Sequence, residues 1–111
     1  MAVESITYKT YETCKKSLLK MGVCASELEE LLEILEHEKS HFDKAVSLGY
    51  SPKYGLRMIA DFPPIILAGY IDFDGRVPAG QDMIDILLAP KIPGEHDYIF
   101  AEKIRSELVQ Q

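Results

Sequence analysis

Tryptophan is absent from this 111-residue chain, and cysteine occurs only at Cys14 and Cys24. Two thiols without a CxxC spacing cannot build a structural zinc site by themselves. With no secretory leader ahead of them, they are expected to be reduced cysteines of a cytoplasmic protein. Basic excess is missing too: the net charge is -6, the opposite of a surface that displaces counterions from a phosphate backbone, so nucleic acid is not an expected partner. Long apolar runs are lacking as well. The longest, from Phe62 to Ile71, is interrupted by two prolines and a glycine and falls far short of the roughly 18 residues of a membrane span, so no membrane partner is expected.

What remains is an ordinary globular composition, 47% hydrophobic and 27% charged, in a chain that holds one modest core. Residues 1–111 are therefore read as a single compact domain. Residues 5–21 carry Tyr8, Tyr11, Leu18 and Met21 among lysines and end at Gly22, which predicts a first amphipathic helix. Ser26 with Glu29 forms a capping-box pattern, so a second, long helix should run from about 26 to 48, with Gly49 as its left-handed cap and Pro52 preventing resumption. Its expected core stripe is Leu28, Leu31, Leu35, Phe42 and Val46, with His37 and His41 on an adjoining stripe beside Ile34, Ala45 and Leu48.

The branched and aromatic stretches at 55–62 and 65–73 predict a β-hairpin, and "DFDG" at 72–75 a hairpin turn rather than a calcium loop, since the ligand ladder is missing. A short helix ending at Pro90 and a terminal helix from Glu95 to Val109, with Gly94 as N-cap, complete the order ααββαα of an α+β domain.

The long helix contains His37-Glu38-Lys39-Ser40-His41, an HExxH. Histidines at i and i+4 lie one above the other and can direct ring nitrogens to one metal ion, while Glu38 turns toward the space where a water would sit. Glu38 is thus the candidate general base, and His37 and His41 the candidate ligands of Zn2+. Shuffling this composition would produce the motif in about 0.5% of sequences, so the match is informative without being unique.

"HEKSHFDKAVSLG" resembles the active-site helix of the zincin metallopeptidases, with Phe42 after the second histidine, Ala45 one turn on and Leu48-Gly49 closing the helix. Lys39 and Asp43 stand where such helices usually keep uncharged and hydrophobic residues. The resemblance covers residues 34–49 and implies a zinc-dependent peptidase acting on a peptide or protein substrate through an activated water.

Such a site needs one more protein ligand. Extending the terminal helix's apolar face of Phe100, Ala101, Ile104 and Leu108 back one turn reaches Asp97, the favoured candidate. A carboxylate there also suits the free amides of a helix start. His96 has the better ligand chemistry but shares the phase of Lys103 and Glu107, a face that reads as solvated; it stays open as an alternative. Glu102 stays open because gluzincin-like enzymes take the last ligand from a later helix, and "LLAPKIPGEHD" is similar to the proline-bearing loop and aspartate of site-2-protease-like enzymes. None of the six tyrosines is selected by spacing as an oxyanion stabiliser.

Residues 55–62 are the expected strand for pairing with an extended substrate. So small a domain has little wall for a deep cleft, which favours homo-oligomerisation or a latent, self-blocked form. The competing reading is a non-enzymatic α+β interaction or structural module in which the histidines merely border the core.

Overall fold

The computed structural model describes residues 2–61 and 64–110. Its elements are β1 (Val3–Tyr8), α1 (Tyr11–Lys20), α2 (Ala25–Ser47), β2 (Pro52–Ile59), β3 (Ile65–Phe73), α3 (Gly80–Leu87) and α4 (Glu95–Val109). The class is α+β, but the order is βααββαα, not ααββαα. The expected helix over 5–21 is in fact a strand followed by a shorter helix. In "VESITY" the residues Glu4, Ile6 and Tyr8 pair with Met58, Leu56 and Tyr54, so the period is two up to Tyr8. Thr10 then changes the period: it is the N-cap of α1, and its side chain accepts the Thr13 amide at 3.1 Å.

The sheet is antiparallel throughout, in the order β1-β2-β3. β2 and β3 form the expected hairpin, with β2 beginning at Pro52 and the pairing slipping at a bulge between Arg57 and Met58. Phe62, the end of the predicted first strand, lies outside the described residues. The turn at Asp74-Gly75 leads from β3 to α3 and so is not a hairpin turn between strands. Gly75 there has φ +79°, and Lys53 pairs with Asp74 at 2.8 Å.

Alternation along the strands puts Tyr54, Leu56 and Met58 on the face covered by α1 and α2, where they pack with Cys14, Leu18 and Leu35. Phe42 of α2 stacks on Tyr54, ring centroids 4.4 Å apart. On the opposite face a Cβ built at Gly55 would fall inside the Tyr70 ring, so only glycine lets Tyr70 lie flat across the central strand.

α2 starts at Ala25, one residue before the expected start. Cys24 takes the N-cap position, and its carbonyl receives the Glu27 and Leu28 amides at 3.0 Å each, so Ser26 lies inside the first turn and caps nothing. The other end is as expected: Gly49 has φ +89°, and Gly49 and Tyr50 donate to Val46 and Ala45 in a Schellman motif. The buried stripe differs from the predicted one. Val46 is exposed, while His41 and Ala45 are buried, because α3 closes over that side of α2. α4 has the predicted bounds and packs mainly on α3.

Candidate metal centre

α2 presents His37 and His41 on successive turns, and the first turn of α4 brings Asp97 against them. Nε2 of His37 lies 3.0 Å from Asp97 Oδ2 and 3.2 Å from His41 Nε2, and His41 Nε2 lies 3.5 Å from the same Oδ2. Among the described residues this is the one group of three or more metal-binding side chains whose donor atoms converge. A tetrahedral ion with ligand distances of about 2.0–2.1 Å holds its donors about 3.3 Å apart, so the triangle already has the size of one face of such a site. The donor set, two imidazoles and a carboxylate, also suits zinc. A single proton on His37 Nε2, donated to Asp97, is the alternative occupant of the triangle.

The orientation of His41 follows from its other nitrogen. Nδ1 lies 2.7 Å from the carbonyl oxygen of Ile86. A carbonyl only accepts, so Nδ1 carries the proton and the neutral ring keeps its lone pair on Nε2, aimed at the triangle. Ile86 is in the last turn of α3, where its carbonyl receives the Ala89 amide at 3.3 Å but no amide from Pro90 four residues on, so it keeps a lone pair for the imidazole, and the dipole there favours donors. The His41 side chain is 7% exposed, against 31% for His37 and 16% for Asp97, so the triangle is closed on one side and open on the other.

Asp97 also occupies the N3 position of α4. Its Oδ2 accepts the Gly94 amide at 2.9 Å, so capping and the approach to the histidines are performed by the same atom. The two readings of Asp97 are therefore compatible. His96 and Glu102 do not join the triangle: His96 is exposed, and exposed Glu102 pairs with Arg105 one turn on. The apolar face of α4 is narrower than its helical phase predicts: Ala101 is buried and Ile104 half-buried, but Phe100 and Leu108 are exposed.

Glu38 lines a cleft of about 230 Å³ with His41, Asp97, β3 and α3. Burial raises its carboxyl pKa and the Asp97 charge adds to this, while the two imidazoles oppose it. Gly69, Tyr70, Ile71 and Phe73 of β3 and Met83, Ile86 and Leu87 of α3 form the walls. Tyr70 contributes no hydroxyl over the histidines, because its ring lies across Gly55 on the sheet face turned away from α2.

β2 is flanked on both sides, by β1 and β3, which removes it as the strand to receive an extended peptide. β3 is the strand with an unpaired edge beside the cleft. Chain order does not reveal this; it depends on β1 occupying the other side of β2. The carbonyl of Ile86 was also missed, since a backbone acceptor carries no side-chain signal.

No protein-family model, curated protein or solved structure matches this chain. No helix among the described residues is long and apolar enough to cross a membrane.

Proposed function

We propose that this domain is a zincin-like, zinc-dependent peptidase, with His37, His41 and Asp97 as metal ligands and Glu38 as general base. The observation that supports it best is the convergence of the three donor atoms on a triangle with sides of 3.0, 3.2 and 3.5 Å. Bound there, zinc supplies a Lewis acid that polarises a carbonyl and lowers the pKa of water to about 7. His41 offers its Nε2 lone pair because Ile86 holds the proton on Nδ1, and the Gly94 amide keeps Asp97 in place.

Glu38 takes a proton from the attacking water as its oxygen adds to the scissile carbonyl carbon, then passes that proton to the departing amine as the C–N bond breaks. The free edge of β3 would hold the peptide by main-chain hydrogen bonds along the cleft.

Glu38→Gln tests this directly. It should retain zinc, while peptide-bond hydrolysis falls by at least about 10²-fold; hydrolysis at the wild-type rate would remove Glu38 as the base. Iron(II) also uses two histidines and a carboxylate, so the metal should be identified by elemental analysis. The second reading is a non-enzymatic interaction module, favoured by the exposed Tyr98, Ile99 and Phe100 on α4. Zinc-loaded wild type that cleaves no peptide would favour it.

A further inference from the structure

Arg76 lies in the loop after β3, and its guanidinium rests on the Tyr50 ring, 4.4 Å from the centroid. Tyr50 is itself fixed from two sides. Its hydroxyl donates to Asp82 Oδ2 at 2.6 Å, and its ring meets Phe73 edge-on at 6.2 Å. Phe73 is a wall of the cleft that holds Glu38, His41 and Asp97, and Met83, next to Asp82, is another. The stack therefore backs two wall residues of that cleft without itself lining it.

Among the described residues no carboxylate lies within ion-pair distance of Arg76, as holds for most cations of this chain, and Arg76 is the arginine whose guanidinium rests on an aromatic ring. A stacked guanidinium keeps its in-plane N–H donors free in a fixed fork, the geometry that receives a carboxylate through two parallel bonds. Stacking also lowers the conformational entropy lost when such bonds form.

We infer that Arg76, stacked on Tyr50 at the Phe73 end of the cleft, receives a carboxylate of the bound peptide and makes this domain selective for anionic substrates. The inference rests on the proposed peptidase reading. From His41 to the end of α2 beside Tyr50 is about 10–13 Å along the helix. An extended peptide covers that in about three or four residues. The recognised carboxylate thus belongs three or four residues from the scissile bond, either on an Asp or Glu side chain or at the chain terminus.

The test is cleavage-site profiling of the zinc-loaded protein and of Arg76→Gln and Arg76→Lys on a peptide library in two forms, with free and with amidated C-termini. Wild type should show enrichment of Asp, Glu or a free terminus at that distance, and Arg76→Gln should lower the ratio of acidic to neutral cleavage about tenfold. Arg76→Lys should restore part of it, since it keeps the charge and loses the fork. Persistence of the enrichment in the amidated library assigns the contact to a side chain, and its loss there assigns it to the terminus. Cleavage with no acidic enrichment, or with the same profile in Arg76→Gln, overturns this inference alone. An absence of wild-type cleavage overturns the peptidase reading and this inference with it.

Discussion

The sheet with α1 and α2 and the C-terminal pair α3–α4 are built on different principles. In the first, Tyr54, Leu18 and Cys14 are shut away from solvent, and Leu35, Leu56 and Met58 close around them. In the second, α3 buries Ile84 and Ile86, but α4 buries only Ala101, and Tyr98, Ile99 and Phe100 remain 53–56% exposed. Apolar burial is the main stabilising term in a domain of this size, so the first region supplies most of the folding free energy. The second supplies the carboxylate that completes the triangle. The contact of Asp97 with His37 and His41 joins the poorly buried helix to the well-packed one, so an ion held there would fasten α4 as well as complete a site.

The largest effect should come from the packed side. Tyr54→Ala removes the ring stacked on Phe42 and should lower unfolding free energy by about 3–5 kcal/mol, measured by denaturant titration. A loss below about 1 kcal/mol would mean that the core is not centred there.

Next is the fastening itself. Zinc at about 100 times its Kd should add about 2.7 kcal/mol to stability. The gain in hydrogen-exchange protection should extend into α4, and Asp97→Ala should remove that part of it. Protection confined to α2 would separate the ion from α4.

A pH-dependent difference of about the same size follows from Cys14. Burial raises its thiol pKa from 9.0 to about 11. The folded state therefore holds its proton more tightly than the unfolded state. That contribution is complete below about pH 9 and is lost as the pH rises through 11, amounting to about 2–3 kcal/mol. Thermal melts across that range should show the decline. At pH 8 a thiol reagent should modify exposed Cys24 well before Cys14, and equal rates would contradict the packing.

The smallest effect belongs to the exposed helix. Phe100→Ala should change stability by less than about 0.5 kcal/mol by the same titration. A larger loss would show that this face is covered in solution.

How much of this could be read beforehand varies with the kind of interaction. α2 and α4 were legible because their ends carry local chemistry: Gly49 in the left-handed region, Gly94 before Glu95, and Asp97 at N3. β1 was not, because it is short, mostly exposed and directly followed by a helix, so Tyr8 and Tyr11 imitate helical spacing across two elements. The capping-box pattern at Ser26 competed with a backbone that was already helical at Ala25, and the backbone prevailed. Asp97 was reachable from helical phase, and His37 and His41 from spacing alone. Which strand has the free edge, and which carbonyl orients His41, depend on strand order and helix docking, which no local pattern encodes.

The most direct measurement is zinc stoichiometry by elemental analysis, after purification without a metal-affinity tag, of wild type and His37→Ala. Far-UV circular dichroism would verify that both are folded. One zinc per wild-type chain, lost in His37→Ala, is the predicted result. Substoichiometric zinc that is the same in both proteins would contradict the metal centre and leave His37, His41 and Asp97 as a hydrogen-bonded contact between α2 and α4.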